Sequence, residues 1–150
     1  MITMRIVNRK APFEYTIVDR IEAGVSLLGS EVKSLRAGHG KLEGAYVKTT
    51  GGEVFLINAE IMPYRFAQPN GYDARRTRKL LLHKREVVSL QSQMGGAKLT
   101  LIPLSWYTKG PKIKLEIGLA RGKRAYEKRE KKKREDVKRE LERDFRGKVK

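Results

Sequence analysis

Two histidines and a scatter of carboxylates are the groups in this chain that could do acid–base chemistry, and their spacing supports none. His39 and His83 have no serine, carboxylate or ligand set placed to make a catalytic or metal-binding pattern, and neither a phosphate-cradling Gly-rich loop nor HExxH occurs. His83 follows Leu80-Leu81-Leu82 at an expected strand-to-helix junction, where capping or packing is the ordinary role. Glu22, Glu31, Glu43, Glu60 and Asp73 are dispersed, and dispersed carboxylates are usually solvated. With no cysteine, disulfide scaffolds, thiolate metal sites and cysteine nucleophiles are excluded. The expectation is a protein that is not an enzyme, with no catalytic residue, metal or cofactor.

The chemistry that is present is positive charge. The 150 residues carry 34 Lys and Arg against 17 Asp and Glu, a net +17. Residues 121–150 hold 15 basic and 7 acidic residues, a net +8 with few apolar side chains. Such a segment buries too little apolar surface to offset its ordering entropy, so it reads as an arm that folds on a polyanionic partner. A second concentration, Arg75-Arg76-Thr77-Arg78-Lys79, precedes Leu80-Leu81-Leu82 and points to phosphate contact, with Lys33 and Arg36 as weaker candidates. Phe13, Tyr15, Tyr46, Phe55, Tyr64 and Tyr107 could stack on bases, although strand spacing favours the core for most. No apolar run is long enough to cross a membrane, and the N-terminus lacks a signal-peptide core, so the expected partner is a nucleic acid and the expected compartment the cytoplasm.

The elements that must carry these charges are short. Residues 13–28 alternate as strands, with Ala23-Gly24 as an expected bulge. Residues 30–36 suit a helix capped by Ser30 and ended near Gly38. Residues 45–50 and 53–58 flank Gly51-Gly52, a two-residue hairpin signal. Residues 63–73 read as a polar loop, residues 84–94 as a helix stopped by Gly95-Gly96, and residues 99–104 and 112–120 as the last strands. Six or so short strands with two inserted helices predict a closed or partly closed barrel over residues 1–120, followed by the tail 121–150. In the tail, Glu127/Lys131, Glu130/Arg134, Glu135/Arg139 and Glu142/Arg146 lie at i,i+4, each worth about 0.2–0.5 kcal/mol in a helix. The tail is therefore helix-capable and marginal when free.

Several blocks in order resemble the SsrA-binding protein (small protein B) family. They are Asn8-Arg9-Lys10-Ala11, Tyr15 followed by Glu22-Ala23-Gly24, the run from Gly29-Ser30-Glu31-Val32-Lys33 through Gly38, Ile61-Met62-Pro63-Tyr64, Arg78-Lys79-Leu80-Leu81-Leu82-His83-Lys84, and Gly118-Leu119-Ala120-Arg121-Gly122-Lys123. The resemblance implies a mainly β, oligonucleotide/oligosaccharide-binding (OB-like) barrel with short inserted helices. It implies an RNA-binding adaptor that grips the tRNA-like domain of transfer-messenger RNA and delivers it to stalled ribosomes, with elongation factor Tu and GTP in the same complex; a monomer is the separate expectation. Asn8, Glu22, Leu81 and Lys114 match the contact surface.

It also implies a tail that turns helical in the empty decoding site and messenger channel. Its matching positions are Gly122, Lys123, Tyr126, Glu127, Lys128, Arg129, Lys131, Lys132, Lys133 and Arg134. Glu127 stands where the family usually has Asp. Lys41, Gly44, Glu60 and Ala74 replace the usual Asn, Asp, His and Pro. The rival readings are a structural ribosomal protein, a general single-strand binder and, more distantly, an RNA-processing enzyme.

Overall fold

Gly51 and Gly52, both with positive φ (59° and 81°), turn β4 (Tyr46–Thr50) directly into β5 (Glu53–Ile57), the hairpin that the two glycines predict. The structure is a computed structural model and describes residues 4–64, 71–95, 98–122 and 133–139. Around this hairpin the chain runs β1 (Arg5–Val7), α1 (Ala11–Glu14), β2 (Tyr15–Val25), α2 (Gly29–Arg36) and β3 (Gly40–Lys41) before it. After it come β6 (Glu60–Ile61), β7 (Arg78–Leu81), α3 (Lys84–Gly95), β8 (Thr100–Lys109) and β9 (Lys112–Gly122).

Seven strands join in the order β1-β8-β4-β5-β7-β2-β9, and β8 also pairs with β9, so all but β1 belong to a ring. The joint between β4 and β8 is a single pair, Val47 opposite Leu101, and the ring is not closed as a uniform barrel. This matches the mainly β, OB-like expectation. β3 and β6 form a separate two-stranded ribbon.

Strand alternation fills the ring. Ala23 of β2, Val54 and Leu56 of β5, Leu80 of β7, and Leu115, Ile117 and Leu119 of β9 are buried in one core with Leu35 of α2 and Trp106 of β8. α1 covers a second cluster, in which Ala11 meets Ile102, Leu104 and Ala120 on the outside of β8 and β9. Gly118 leaves room for Leu104 there, whose Cδ1 would lie 3.0 Å from an added Cβ.

Several boundaries differ from the sequence expectation for identifiable reasons. Pro12 in the first turn favours helix start, so residues 11–14 form α1 and the strand begins only at Tyr15. The irregularity in β2 lies between Ile17 and Asp19, not at Ala23-Gly24. Gly24 stays in the ladder, because Leu81 Cβ approaches within 3.3 Å of where its Cβ would stand. α2 starts at Gly29 with Leu28 as N-cap, and the cap is the Glu31 carboxylate, which accepts from the Leu28 N–H at 2.8 Å, rather than Ser30. β8 extends through Trp106 to Lys109. Its interior is buried on both faces, which erases the alternation that marks a half-exposed strand. β9 reaches Gly122, which pairs with Tyr15, so two residues assigned to the tail by composition lie in the sheet.

The fold places the four positions at which the resemblance implies other residues. Gly44 has φ +78°, a conformation glycine adopts without steric cost. Lys41 and Glu60 stand opposite each other across β3 and β6, and Glu60 also pairs with Arg75 at 3.3 Å. Ala74 contributes its carbonyl, which accepts from the Ile61 N–H at 2.9 Å.

Candidate nucleic-acid interface

Register aligns residues that the sequence scatters over more than a hundred positions. Arg5 is opposite Tyr107, Tyr107 opposite Lys114, Lys114 opposite Gly24, and Gly24 opposite Leu81. One row thus crosses β1, β8, β9, β2 and β7. In the adjacent row Ser105, Glu116 and Glu22 are matched. Directly opposed residues share a face, and residues two apart along a strand return to it. Glu22, Leu81 and Lys114 therefore stand together on the outer face, with their neighbours Ala23, Leu80 and Leu115 in the core.

These three line one cleft of about 1010 Å³. Its floor is apolar, with Val25, Leu27, Val32 and Ile113, and its rim carries Lys79, Lys84, Lys112, Lys114 and His83. Leu81 is 53% exposed and so is no core leucine, although it sits in the Leu80-Leu81-Leu82 run. Strand period alone separates it from the buried Leu80. His83 is the residue before α3: its N–H donates to the Glu86 carboxylate at 3.0 Å, and its carbonyl accepts from Glu86 and Val87. Its capping role fits the sequence reading.

Glu22 is held on two sides. The Tyr107 hydroxyl donates to Oε2 and the Lys109 ammonium donates to Oε1 at 3.2 Å. The Tyr107 hydrogen bond and the nearby Lys109 and Lys114 charges outweigh desolvation and keep the Glu22 carboxyl below its ordinary value. Burial and that same bond push the Tyr107 phenol far above its ordinary value, so it stays protonated as the donor. The Arg5 guanidinium covers the Tyr107 ring at 5.3 Å from its centroid. Arg5, Lys109 and Lys112 were not singled out by sequence, and Tyr107 only as an aromatic that could stack on bases. Only pairing register identifies them.

The basic run 75–79 is built differently from its sequence appearance. Arg78 is fully buried: its Nε and Nη2 donate to Glu31 Oε2 at 2.9 and 2.6 Å, and Nη1 donates to the Ala59 carbonyl at 2.7 Å. This corrects the expectation of a phosphate contact, because a fully buried, inward-facing residue of β7 with every guanidinium nitrogen engaged presents nothing to a ligand. Arg76 also donates to Glu31 through Nε at 3.1 Å and through Nη2. Arg75 pairs with Glu60 and Lys79 with Glu53, the latter at 3.2 Å. Each of the four cations is thus matched by a carboxylate, and Lys79 is the one that lines the cleft.

Asn8 stands apart. It lines a smaller pocket of about 300 Å³ with Tyr15 and Tyr46, at the end of β2 away from Glu22. Its Nδ2 donates to the Pro103 carbonyl at 2.9 Å, and the residue is buried. On α2, the Lys33 ammonium lies 5.5 Å from the Tyr64 ring centroid, and Arg36 donates to the Pro111 carbonyl at 2.9 Å, beside the cleft.

Of the tail positions, Gly122 ends β9, and Lys133 and Arg134 lie on a helical stretch over 133–139 in which Arg139 and Glu135 approach to 3.9 Å. Lys123, Tyr126, Glu127, Lys128, Arg129, Lys131 and Lys132 lie outside the described residues. Among the described residues there is no cluster of metal-ligating side chains and no helix long and apolar enough to cross a membrane.

Comparison with known proteins finds relatives over nearly the whole chain. A family model described as SmpB protein matches residues 5–147. An SsrA-binding protein of a Sulfurihydrogenibium species is 48% identical over 143 residues, covering 95% of this chain and 94% of that protein. The SsrA-binding protein of Chlorobaculum tepidum is 49% identical over 138 residues, 91% of this chain and 88% of its own. A solved structure described as "tmRNA-SmpB: a journey to the center of the bacterial ribosome" superposes with a TM-score of 0.67 at 43% identity, covering 81% of this chain and 85% of that one.

Proposed function

Since this chain belongs to the SmpB protein family, we propose that it is an RNA-binding adaptor of trans-translation, which binds the tRNA-like domain of transfer-messenger RNA and brings it to stalled ribosomes. The observation that carries this reading is the cleft that gathers Glu22, Leu81 and Lys114 on one outer face. Its ingredients divide the work of recognition. Lysines on the rim neutralise phosphates, Leu81 offers apolar contact to a sugar or base, and Glu22 rejects phosphate and accepts from base or sugar donors. Carboxylates pair with the four cations of the run 75–79, Lys79 among them, and Lys84, Lys112 and Lys114 are the remaining lysines of the cleft.

The tail supplies the second activity. Its excess of Lys and Arg suits the phosphate-walled messenger channel of a ribosome that holds no messenger, and the body presents the RNA beside it. In this reading the protein is a cytoplasmic monomer without catalytic activity, and elongation factor Tu with GTP belongs to the same complex.

Competition tests the reading: the full chain is bound to the tRNA-like domain at physiological salt against excess bulk tRNA. Tight binding that bulk tRNA barely displaces is expected, with log K falling against log salt at a slope of about −3.5 to −4.5 if some five phosphates are neutralised. Equal competition by any RNA would reduce the protein to a non-specific basic barrel.

A second expectation concerns Leu81. Because its side chain is largely exposed, Leu81→Ala should change unfolding free energy by no more than about 0.5–1 kcal/mol. RNA affinity should fall by about fivefold or more, the equivalent of about 1 kcal/mol of lost apolar burial. A large loss of stability with unchanged affinity would assign Leu81 to the core instead.

A further inference from the structure

The hydrogen bonds already made by Glu22 restrict what it can read. An ionised carboxylate offers roughly two acceptor sites on each oxygen. Tyr107 occupies one on Oε2 and Lys109 one on Oε1. One further acceptor position remains on each oxygen of a carboxylate that is partly exposed at the wall of the cleft. That pair calls for two adjacent donors.

Among the four RNA bases, guanine alone presents two adjacent donors on its Watson–Crick edge, N1–H and N2–H. Adenine and cytosine present one amino group beside an acceptor, and uracil one imino group between two acceptors. A ribose within a chain has its 3′ oxygen esterified and supplies the 2′ hydroxyl alone. We propose that the cleft is a guanine-reading site for one unpaired, everted guanine, in which Tyr107 and Lys109 are positioning residues that orient Glu22 toward the N1 and N2 donors.

The surroundings fit such a base. In duplex RNA the Watson–Crick edge is occupied, so the base must come from a loop, the setting in which RNA is usually read by sequence. Lys114, on the neighbouring strand and in the same cleft, is the cation suited to the O6 acceptor that follows N1 on the edge. Exposed Leu81 offers an apolar surface to the ring and lies close against Gly24 opposite, its Cβ 3.3 Å from where a Gly24 Cβ would stand. The like charge nearest Glu22 is Glu116, directly opposite on β9, and the Arg20 guanidinium neutralises it at 2.8 Å. Arg5, Lys109 and Lys114 complete the charged groups that face Glu22 and Tyr107.

This inference rests on the adaptor reading and extends it to one base. The test is a scan in which each unpaired guanosine of the tRNA-like domain is replaced in turn by inosine, which keeps N1–H and O6 and lacks the 2-amino group. Inosine at one position is expected to weaken binding of the full chain about 5- to 150-fold, the usual discrimination of a bidentate base contact. Inosine elsewhere should change little.

Tyr107→Phe should give a loss of similar size on unmodified RNA and almost none on the sensitive inosine RNA or in a Glu22→Gln background. The same variant should also move the acid loss of binding to higher pH. The ionised form of Glu22 is the one that binds, and removing the hydroxyl releases its carboxyl toward the ordinary value. A purely structural role for Tyr107 would lower thermal stability without that coupling or shift. Tight RNA binding with no inosine-sensitive position overturns the guanine site alone. Failure of the unmodified RNA to bind overturns the adaptor reading and the guanine site together.

Discussion

Replacing Glu31 with alanine is expected to destabilise the fold by about 3–5 kcal/mol, enough to unfold much of the protein at growth temperature. Glu31 and Arg78 are both fully buried, and their closest approach is 2.6 Å. Without the carboxylate, the Arg78 guanidinium remains inside with neutral acceptors only, the Ala59 and Ala74 carbonyls and the Tyr72 hydroxyl. The Leu28 N–H would also lose the acceptor that caps α2.

The effect should be asymmetric. Arg78→Met leaves Glu31 with Arg76, the Leu28 N–H and Tyr72, so its cost should be clearly smaller. Urea unfolding of the two variants measures both, and equal losses would mean that the cluster contributes through packing rather than charge.

The same cluster sets an acid limit. Burial raises the Glu31 carboxyl, but Arg76, the Leu28 N–H and Arg78 together hold it below its ordinary 4.5. A carboxyl lowered on folding stabilises fully above its unfolded value, and the contribution disappears as pH falls from 4.5 through the folded value. Acid unfolding should therefore begin below about pH 4.5 in the intact protein, while Glu31→Gln should lose this slope.

Removal of residues 123–150 is expected to abolish peptide tagging on stalled ribosomes while RNA affinity stays within about tenfold. The cut belongs after Gly122, because Arg121 and Gly122 pair with Thr16 and Tyr15 and a shorter body would lose the end of β9. The segment removed holds 14 of the 34 basic residues, so a loss of non-specific attraction is expected and should vanish at higher salt. Glu22, Leu81, Lys109 and Lys114 all lie on the retained body. Tagging by the truncated protein in a reconstituted translation assay would remove the tail from the mechanism, and a collapse of RNA affinity at every salt would place RNA recognition in the tail.

How far the chain could be read in advance depended on the range of each signal. The Gly51-Gly52 turn, the helix over 84–95 and the helix after Leu28 depend on neighbours a few residues apart, and they stand where local chemistry puts them. β8 was legible only to Leu104, since a strand buried on both faces carries no alternation to follow. Arg78 was misread because its basic neighbours suggested a surface. Period 2 along β7 instead sends Arg78 and Leu80 inward and Lys79 and Leu81 outward, and Glu31, forty-seven residues away in sequence, makes the buried arginine tolerable.

The sequence by itself determined the class of partner and the absence of familiar catalytic patterns, because net charge, missing cysteine and motif spacing are properties of composition and short range. It also carried the family, through blocks whose order survives without any knowledge of how they fold. What only the tertiary structure decided is which residues act together. Glu22, Leu81 and Lys114 meet, and Tyr107 and Lys109 join them, because antiparallel register places four distant strands side by side. Arg78 is turned inward by the same rule. Register is fixed by pairing across the whole sheet, so no window of sequence contains it.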